Sequence, residues 1–306
     1  MLFSRRPRSG IRHGLYYSRD LVATASLVQQ RGMTPRLTHA SAARQAVQDL
    51  SSEALKALIP HAPGALSFVL ADDQYRLLLV EAPRVEPSEL RAAIRWKVKD
   101  LIDFHIDDAV IDVFEIPGQE RRPPGQAMMY AVAARARDLR AHIDRIESAD
   151  FKLDVIDISE MALRNLASLT EEDVQGVCLL HLQEDHGLVT LTRQAHLFLS
   201  RRLEIGTLSL EQDPQGASDQ ILLEVQRSLD YYDSHFQQAP IAGLKVLPGP
   251  TTVAALTETL NDNLNLAAAP YPLDSVLQME TELEPSVLAD SILAIGGALR
   301  REELSL

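Results

Sequence analysis

Between residues 65 and 168, the spacing of hydrophobic positions switches between the period of a strand and the period of a helix. Two apolar segments at 66–70 and 77–80 flank a polar stretch at 72–74, which predicts a β-hairpin. From Leu90 to Ile102, apolar residues recur every three or four positions, as on one buried face of a helix. Trp96 lies off that face, and we expect it to pack against a neighbouring element.

The same region continues with further alternating segments. Strands are predicted at 109–116, 127–134 and 152–158, and helices at 135–148 and 159–168. The predicted order over 65–168 is therefore strand, strand, helix, strand, strand, helix, strand, helix, which indicates an α/β architecture.

The second half restarts after an acidic break at 170–175 and follows a different order. It contains three consecutive strands, a long helix, a strand, a helix and a final helix. These elements are predicted at 177–182, 187–192, 195–203, 219–236, 244–247, 251–263 and 286–303.

Three antiparallel strands followed by a helix, a strand and a helix describe half of the actin-like (ribonuclease H-like) fold, which contains this unit twice. We therefore predict an α/β, actin-like two-domain fold with an inserted α/β subdomain. The first domain would span 1–168 with the insertion at about 65–155, and the second 169–306. The last helix, 286–303, is expected to pack back on the first domain.

Composition is that of a folded protein: of 306 residues, 46% are hydrophobic and 24% are charged. The single cysteine, Cys178, excludes an internal disulfide framework and agrees with a reducing compartment. No stretch reaches the roughly 20 apolar residues that cross a bilayer, and no secretory signal is recognisable. We therefore expect the protein to stay in the cytoplasm.

Charge is unevenly distributed along a chain whose formal net charge is −13. The first 45 residues carry eight arginines against one acid, Asp20. This basic start could contact anionic lipid or an acidic partner, or could simply be solvated. We expect no nucleic-acid binding, because the rest of the chain is acidic and lacks a basic helix with interleaved aromatic residues.

Four stretches resemble the PilM family of type IV pilus assembly proteins. They are ELRAAIRWKVKDLIDFHIDDAVIDVFEI at 89–116, MMYAVAARARDLRAHIDRIESADFKLDVIDISEMALRNL at 128–166, QILLEVQRSLDYYDSHF at 220–236 and ILAIGGALR at 292–300. Their order and spacing carry the resemblance, which is closest to the branch that serves the mannose-sensitive haemagglutinin (MSHA) pilus. Residues 1–60 match the family poorly.

This resemblance implies an actin-like scaffold of the cytoplasm, peripheral at the inner membrane. Its partners would be the cytoplasmic tail of an inner-membrane pilus assembly protein and other components of the assembly platform. By analogy, the groove for the tail would lie between the first actin-like subdomain and the insertion, near residues 66–80 and 90–102. Members of the family also bind ATP.

Actin-like folds hold nucleotide between two hairpins rich in small residues, where backbone N–H groups approach the phosphates. The resemblance places the first hairpin near residues 10–25. Its sequence provides Gly10, His13, Gly14 and Ser18, with a basic or imidazole side chain where the family has an acid that organises Mg²⁺.

The second hairpin falls at 180–189, where His181 replaces the aspartate and Gln183 a glycine. The adenosine loop corresponds to 247–250, where Gly249 remains between two prolines that lack N–H donors. We therefore predict a degenerate nucleotide site and no catalysis, with residual ATP and Mg²⁺ binding as the open alternative. A metal site at His181, Glu184, Asp185 and His186 is not expected, because alternate strand residues point to opposite faces.

The main functional hypothesis is thus an adaptor without enzymatic activity. No catalytic motif supports a nucleophilic enzyme, since the sequence has no Gly-x-Ser-x-Gly elbow and no Walker-type loop. Two alternatives stay open: an actin-like ATP-binding protein with a working site, and the cytoplasmic domain of a type II secretion platform protein. Chains of the last class normally continue into a membrane helix. The sequence stops at Leu306 without one, so we expect the pilus hypothesis to be the better of the two.

Overall fold

The computed structural model describes residues 10–30, 32–47, 50–60, 64–119, 127–236 and 238–301. Arg5, Arg6 and Arg8 lie outside these ranges, so the expectation that the basic start contacts lipid stays a prediction.

The first half of the chain alternates strands and helices. In order it contains β1 (Ile11–Tyr17), β2 (Leu21–Val28), β3 (Arg36–Arg44), α1 (Ser52–Leu58), β4 (Ala65–Leu70), β5 (Tyr75–Glu81), α2 (Leu90–Val98), β6 (Ala109–Glu115), β7 (Met128–Arg135), α3 (Ala136–Ser148), β8 (Leu153–Ile158) and α4 (Ser159–Ala167).

The second half begins with three strands and continues mostly as helices. In order it contains β9 (Val177–Leu182), β10 (Gly187–Arg193), β11 (His196–Leu203), α5 (Thr207–Gln212), α6 (Pro214–Phe236), β12 (Gly243–Val246), α7 (Thr251–Asn263), β13 (Ala268–Pro270), α8 (Leu273–Val276), β14 (Gln278–Met279), α9 (Pro285–Asp290) and α10 (Ile292–Ala298).

Two of the sheets share one topology. The six-stranded sheet has the order β14-β3-β2-β1-β4-β8, and the five-stranded sheet the order β11-β10-β9-β12-β13. In each, three consecutive strands pair antiparallel, and two later strands then pair parallel beside the first of them. The unit expected to occur twice is therefore visible as a duplicated topology, to which β14 adds an edge strand.

The third sheet has the order β5-β7-β6 and is entirely antiparallel. It lies within the range 65–155 predicted for the insertion, while β4 and β8 belong to the six-stranded sheet. The predicted hairpin of β4 with β5 is wrong, because β4 pairs with β1 and β8, and β5 pairs with β7. The polar turn at 72–74 instead carries the chain from one sheet to another. The division into domains at 168 and 169 stays a prediction.

Helix α2 covers one face of the three-stranded sheet. Its buried Ile94 and Val98 pack against Val80, Met129 and Ala131. The expectation for Trp96 is wrong, because 76% of that side chain is exposed. Trp96 is two positions from each buried residue of the helix, so the period of 3.6 residues turns it away from the sheet.

The C-terminal segment is two short helices rather than the single helix predicted at 286–303, and residues beyond 301 are not described. Helix α10 contacts β1, β2, β4 and α4, and every one of its residues is buried. This close approach requires glycine on the strand, because a Cβ atom on Gly14 would lie 1.8 Å from the carbonyl oxygen of Ala294.

Most of the remaining predicted elements are present with similar bounds. Helix α7 has the predicted bounds, and α6 begins five residues before the predicted start. The hydrophobic pattern predicted no element for residues 11–58, although the resemblance placed a hairpin near 10–25. Helices α5 and α8 and strands β13 and β14 were not predicted either. These four are short, so periodicity offers little signal for them. Among the described residues, no helix has both the length and the hydrophobicity to span a membrane.

Candidate functional site

The β1–β2 hairpin contributes one side of the place where an actin-like fold would hold nucleotide. Its turn is closed by the N–H of Ser18, which donates to the carbonyl of Leu21 at 2.9 Å. Ser18 is thus the one predicted residue of this hairpin that lies at the turn. Gly10 precedes β1 at the opposite end of the strand, and its carbonyl accepts from the N–H of Gln29.

His13 and Gly14 lie in the body of β1, away from that turn. The His13 side chain is buried, and its Nδ1 is 2.8 Å from the hydroxyl of Ser26 on β2. Gly14 faces α10, as described above. The structure therefore does not bring Gly10, His13 and Gly14 together with Ser18 as a phosphate loop.

The β9–β10 hairpin forms the other side. Its tight turn covers residues 183–186, and the N–H of Gln183 donates to the carbonyl of His186 at 2.9 Å. The start of α5 covers this turn, because the N–H groups of Thr207 and Leu208 donate to the carbonyls of Gln183 and Glu184. Gln183 therefore sits at the turn as predicted, with its backbone already hydrogen-bonded within the protein.

His181 lies two residues before Gln183, near the end of β9, and is buried. Burial lowers its pKa to about 4, so the imidazole is neutral near pH 7. Among the described residues, its Nδ1 has no hydrogen-bond partner. A neutral, enclosed imidazole offers no charge to a phosphate or to a Mg²⁺ ion.

The two hairpins contact each other directly. The hydroxyl of Tyr16, which is buried near the end of β1, donates to Oε1 of Gln183 at 3.1 Å. Burial raises the pKa of Tyr16 well above its ordinary value, so its hydroxyl stays a donor. Arg44, at the end of β3, forms ion pairs with Glu184 and Asp290. Side chains from both sheets thus occupy the space between the hairpin turns.

A buried polar cluster continues this contact between the two halves. Asp72, which follows β4, lies 3.0 Å from Nε2 of His186 and 3.4 Å from Arg202 on β11. Nδ1 of His186 lies 2.5 Å from Asp185. Because both ring nitrogens face carboxylates, both donate hydrogen bonds, as in the imidazolium form.

These contacts shift the pKa values of both partners. Burial acts against the charged form of His186, but the hydrogen bonds with Asp72 and Asp185 outweigh it and raise the pKa. Burial would likewise raise the pKa of Asp72, but hydrogen bonds from His186 and Ser159 hold it below its ordinary value. Below the raised pKa of His186, the pair is therefore an ion pair between the halves.

Glu160, in the first turn of α4, is the least expected member of the cluster. Its carboxylate accepts from the hydroxyl of Tyr75 at 2.5 Å and from Ser200 of β11 at 3.3 Å. Burial, followed by the nearby charge of Asp72, raises the pKa of Glu160 to about 7. Sequence reasoning missed this cluster. The one signal that the sequence offered was the acid Glu160, which lies between the buried end of β8 and the apolar face of α4.

Gly249, the predicted adenosine-loop residue, lies between β12 and α7. A Cβ atom there would lie 2.8 Å from Val253 in the first turn of α7, so the glycine serves close packing of the loop on its own helix. Pro250 is the N-cap of α7 and provides no side-chain cap.

No predicted nucleotide position lines either of two surface cavities. A cavity of about 560 Å³ lies between the β2–β3 loop, the segment 168–172 and the α8 region, and Lys245 and Glu172 form an ion pair at its wall. A second, of about 270 Å³, lies between the end of α6 and residues 263–266. In the part of the chain that the structure describes, no group of three or more His, Cys, Asp or Glu could hold a metal ion.

Comparisons with known proteins find similarity in structure and none in sequence. No protein-family profile matches the sequence, and a sequence search of curated proteins finds no match. A chain of a PilM–PilN type IV pilus biogenesis complex superposes with a TM-score of 0.71 and 18% identity, over 96% of this chain and 98% of that one.

Two further structures are similar over most of their length. The cytoplasmic domain of EpsL, an inner-membrane component of the type II secretion system of Vibrio cholerae, has a TM-score of 0.50 and 14% identity. The match covers 91% of this chain and 92% of that one. A Bacteroides thetaiotaomicron protein described as having an actin-like ATPase fold has a TM-score of 0.49 and 7% identity, over 91% and 94% of the two chains. The predicted fold class is confirmed: this chain has an α/β, actin-like fold.

Proposed function

We propose that the chain is a cytoplasmic scaffold of a type IV pilus assembly platform, of the MSHA type, without enzymatic activity. It would bind the cytoplasmic tail of an inner-membrane pilus protein and so be peripheral at that membrane. The observation that carries the proposal is the direct contact of β1 with the turn of the second hairpin, in which the hydroxyl of Tyr16 donates to Gln183 near the place where an actin-like protein would hold phosphates.

The contact of Tyr16 with Gln183 between the two hairpins favours a role in binding other proteins over a role in turning over nucleotide. Phosphate binding needs free N–H groups and small residues at both turns. Here the second turn carries two acids, Glu184 and Asp185, and its backbone is engaged by α5. A phosphate at this place would have to displace the Tyr16–Gln183 contact and compete with Glu184 for Arg44 and with Asp185 for His186.

The likeness in fold to a chain of the PilM–PilN complex supports the pilus role, because it extends over almost the whole of both chains. Strand β5 is the best place for the tail. The apolar side chains at 66–70 of β4 are buried and serve the core. Strand β5, in contrast, is an edge of the three-stranded sheet, and no described backbone group bonds to its outer side. An extended peptide could add there as a further strand.

The test is a titration with labelled N-terminal peptides of the inner-membrane proteins encoded in the same operon, read by fluorescence anisotropy. We expect one peptide to bind above its scrambled-sequence control. In hydrogen exchange, that peptide should protect Tyr75–Glu81 and leave Ala268–Pro270, an edge strand of the other sheet, unchanged. If none of the tails binds better than its scrambled control, the adaptor role is wrong. If a bound peptide protects a different segment, the adaptor role stands and the binding site lies at that segment instead of at β5.

A second candidate is the equivalent platform role in a type II secretion system. The observation that favours it is the likeness to the EpsL cytoplasmic domain, at a lower TM-score of 0.50. Peptides from pilus and secretion membrane proteins, titrated side by side, distinguish the two, because the proposal requires tighter binding of the pilus tail.

A further inference from the structure

A series of four polar side chains runs from helix α4 to the second half of the chain. The hydroxyl of Tyr75 lies 2.5 Å from Oε2 of Glu160 and 3.4 Å from Oδ1 of Asp72. Oδ2 of Asp72 lies in turn 3.0 Å from Nε2 of His186. We call Glu160, Tyr75, Asp72 and His186 the polar relay, because polar atoms of each member lie within 3.4 Å of the next.

The polar relay lies where the first half of the chain meets strand β11 of the second half. The Ser200 hydroxyl on β11 donates to Oε1 of Glu160 at 3.3 Å. The hydroxyl of Tyr130, on β7 of the three-stranded sheet, donates to the carbonyl of Phe198 and accepts from the N–H of Ser200, both at 3.3 Å. Because β11 is an edge strand, these contacts hold its outer side against the first half, and we call them the β11 joint.

The hydrogen bonds of the polar relay depend on one proton. A tyrosine hydroxyl has a single hydrogen, so Tyr75 cannot donate to Glu160 and Asp72 at the same time. When Glu160 is ionised, Tyr75 donates to it at the shorter distance and leaves Oδ1 of Asp72 without that hydrogen bond. When Glu160 is protonated, its own O–H donates to Tyr75, whose hydrogen then turns to Asp72. A proton on Glu160 therefore completes the series of hydrogen bonds from α4 to His186.

The charges around the polar relay are divided between the two halves. Asp72 and Glu160 belong to the first half, whereas His186 and Arg202, which both lie within 3.4 Å of Asp72, belong to the second. Only 8% of the Asp72 side chain and 5% of Glu160 are exposed. A second negative charge on Glu160 is therefore buried beside that of Asp72, which is unfavourable until the halves separate and water reaches it.

We propose that the polar relay is a latch that closes the two halves of the chain when Glu160 takes up a proton from water. In the closed arrangement, which the structure shows, the relay joins α4 and the turn after β4 to β11 and to the β9–β10 turn. Loss of the proton leaves two buried carboxylates that compete for one hydroxyl, so the β11 joint opens more readily. Closure of the halves is thereby coupled to pH.

The directions of three pKa shifts give the pH range of the latch. Burial, followed by the charge of Asp72, raises the pKa of Glu160 to about 7. Burial opposes the charged form of His186, but hydrogen bonds with Asp72 and Asp185 raise its pKa. Both groups bind protons more tightly in the closed arrangement, so their contribution to closure is present at low pH and is lost as the pH rises through about 7. Burial lowers the pKa of His181 to about 4, so its opposite contribution is lost as the pH falls from 6.5 towards 4.

Other titratable or charged groups face the polar relay from the elements packed against it. They are Tyr16 of β1, Tyr130 of β7, His181 of β9, Asp185 of the β9–β10 turn and Arg202 of β11. Burial raises the pKa values of Tyr16, Tyr75 and Tyr130 far above 7, so these hydroxyls keep their hydrogens throughout the range of the latch. A hydrogen bond with His186 lowers the pKa of Asp185, which stays ionised.

Hydrogen exchange at the N–H of Ser200 tests the latch, because that N–H donates to Tyr130 across the β11 joint. Its exchange rate, divided by the intrinsic rate at each pH, measures opening of the joint. The N–H of Leu247, which donates to the carbonyl of Leu180 inside the second half, reports on unfolding of that half. We expect urea to accelerate exchange steeply at Leu247 and weakly at Ser200, because opening of the joint exposes little surface.

Glu160→Gln gives the main comparison, since its side-chain N–H donates to Tyr75 at every pH, as the protonated acid does. At about pH 8 the corrected exchange of Ser200 should be at least about tenfold faster in the wild type than in this variant, and the ratio should fall at least about tenfold by about pH 5.5. The contributions of His181 and His186 are common to both proteins and cancel. The control is Glu224→Gln, because Glu224 pairs with arginines of the second half only, and this variant should exchange as the wild type does.

Asp72→Asn breaks the polar relay at its other end. It removes the ion pair with His186 and the charge that favours a proton on Glu160, so Ser200 should exchange at least about tenfold faster than in the wild type at about pH 6.5. The proposal is overturned if Ser200 shares the urea dependence of Leu247, since the joint then opens only when the second half unfolds. It is also overturned if Glu160→Gln and Glu224→Gln exchange alike at about pH 8, or if Asp72→Asn leaves exchange at Ser200 unchanged.

Discussion

At the scale of single residues, the environment decides the chemistry more than the residue type does. His181 and His186 lie five positions apart on one hairpin, yet burial lowers the pKa of the first to about 4, while hydrogen bonds with Asp72 and Asp185 raise that of the second. Sequence reasoning identified His181 as a departure from the family's hairpin, and named His186 only within a metal cluster that it did not expect. It could not assign their charges, because the partner Asp72 is 114 positions away from His186.

Replacement of Glu160 by glutamine should change stability in a pH-dependent way. Burial raises the pKa of Glu160 from 4.5 to about 7, so the folded state binds its proton more tightly than the unfolded chain does. The resulting stability is fully present below pH 4.5 and is lost as the pH rises through 7. Glu160→Gln, which resembles the protonated acid, should therefore have the same free energy of unfolding as the wild type near pH 4.5. Above pH 7, the free energy of unfolding of Glu160→Gln, measured in urea, should exceed that of the wild type by roughly 3 kcal/mol.

The control is Tyr75→Phe, which keeps the carboxylate and removes the hydroxyl that stabilises its charged form. Its stability should still depend on pH, with the transition displaced to higher pH. The opposing dependence expected from His181, whose pKa is lowered, is common to all three proteins and cancels in the comparison. An effect of Glu160→Gln that is equal at both ends of the pH range would contradict this account.

At the scale of elements, the order over 65–168 could be predicted, whereas the strands of the first 44 residues and the partners of the strands could not. The pattern at 65–168 gave the observed sequence of strands and helices. It failed on the pairing of β4 with β5, because a short polar turn between apolar segments looks alike in a hairpin and in a crossing between sheets. The pairing of β14 with β3 joins residues more than 240 positions apart and leaves no local signal.

The contact of α10 with β1 gives a prediction that separates packing from ligand binding at Gly14. Gly14→Ala should lower the free energy of unfolding by at least about 3 kcal/mol, because its Cβ atom would meet the backbone of Ala294 at 1.8 Å. Gly10→Ala is the control, since its Cβ atom would find 3.3 Å to the nearest atom, the carbonyl oxygen of Gln29. We expect it to stay within about 1 kcal/mol of the wild type. Equal stability of the two variants would show that α10 does not lock onto β1 in solution.

At the scale of the whole molecule, side-chain contacts join two copies of one sheet topology. Tyr16 with Gln183 and Asp72 with His186 each join the first half of the chain to the second. Departures at His181 and Gln183 could be predicted from the sequence. The contacts between the halves could not, because they depend on Tyr16 and Asp72, and the sequence indicates no long-range partner for either.

These contacts between the two halves predict how the melting temperature of the protein responds to nucleotide. A ligand that bound the folded state at 100 times its dissociation constant would raise the free energy of unfolding by about 2.7 kcal/mol. Side chains of both halves meet between the hairpins. We therefore expect the melting temperature in millimolar Mg-ATP to equal the melting temperature in Mg²⁺ alone. A melting temperature that rises with ATP concentration, and not with Mg²⁺, would instead mean that the Tyr16–Gln183 contact opens. The chain would then be an ATP-binding protein whose two halves move apart to admit the nucleotide.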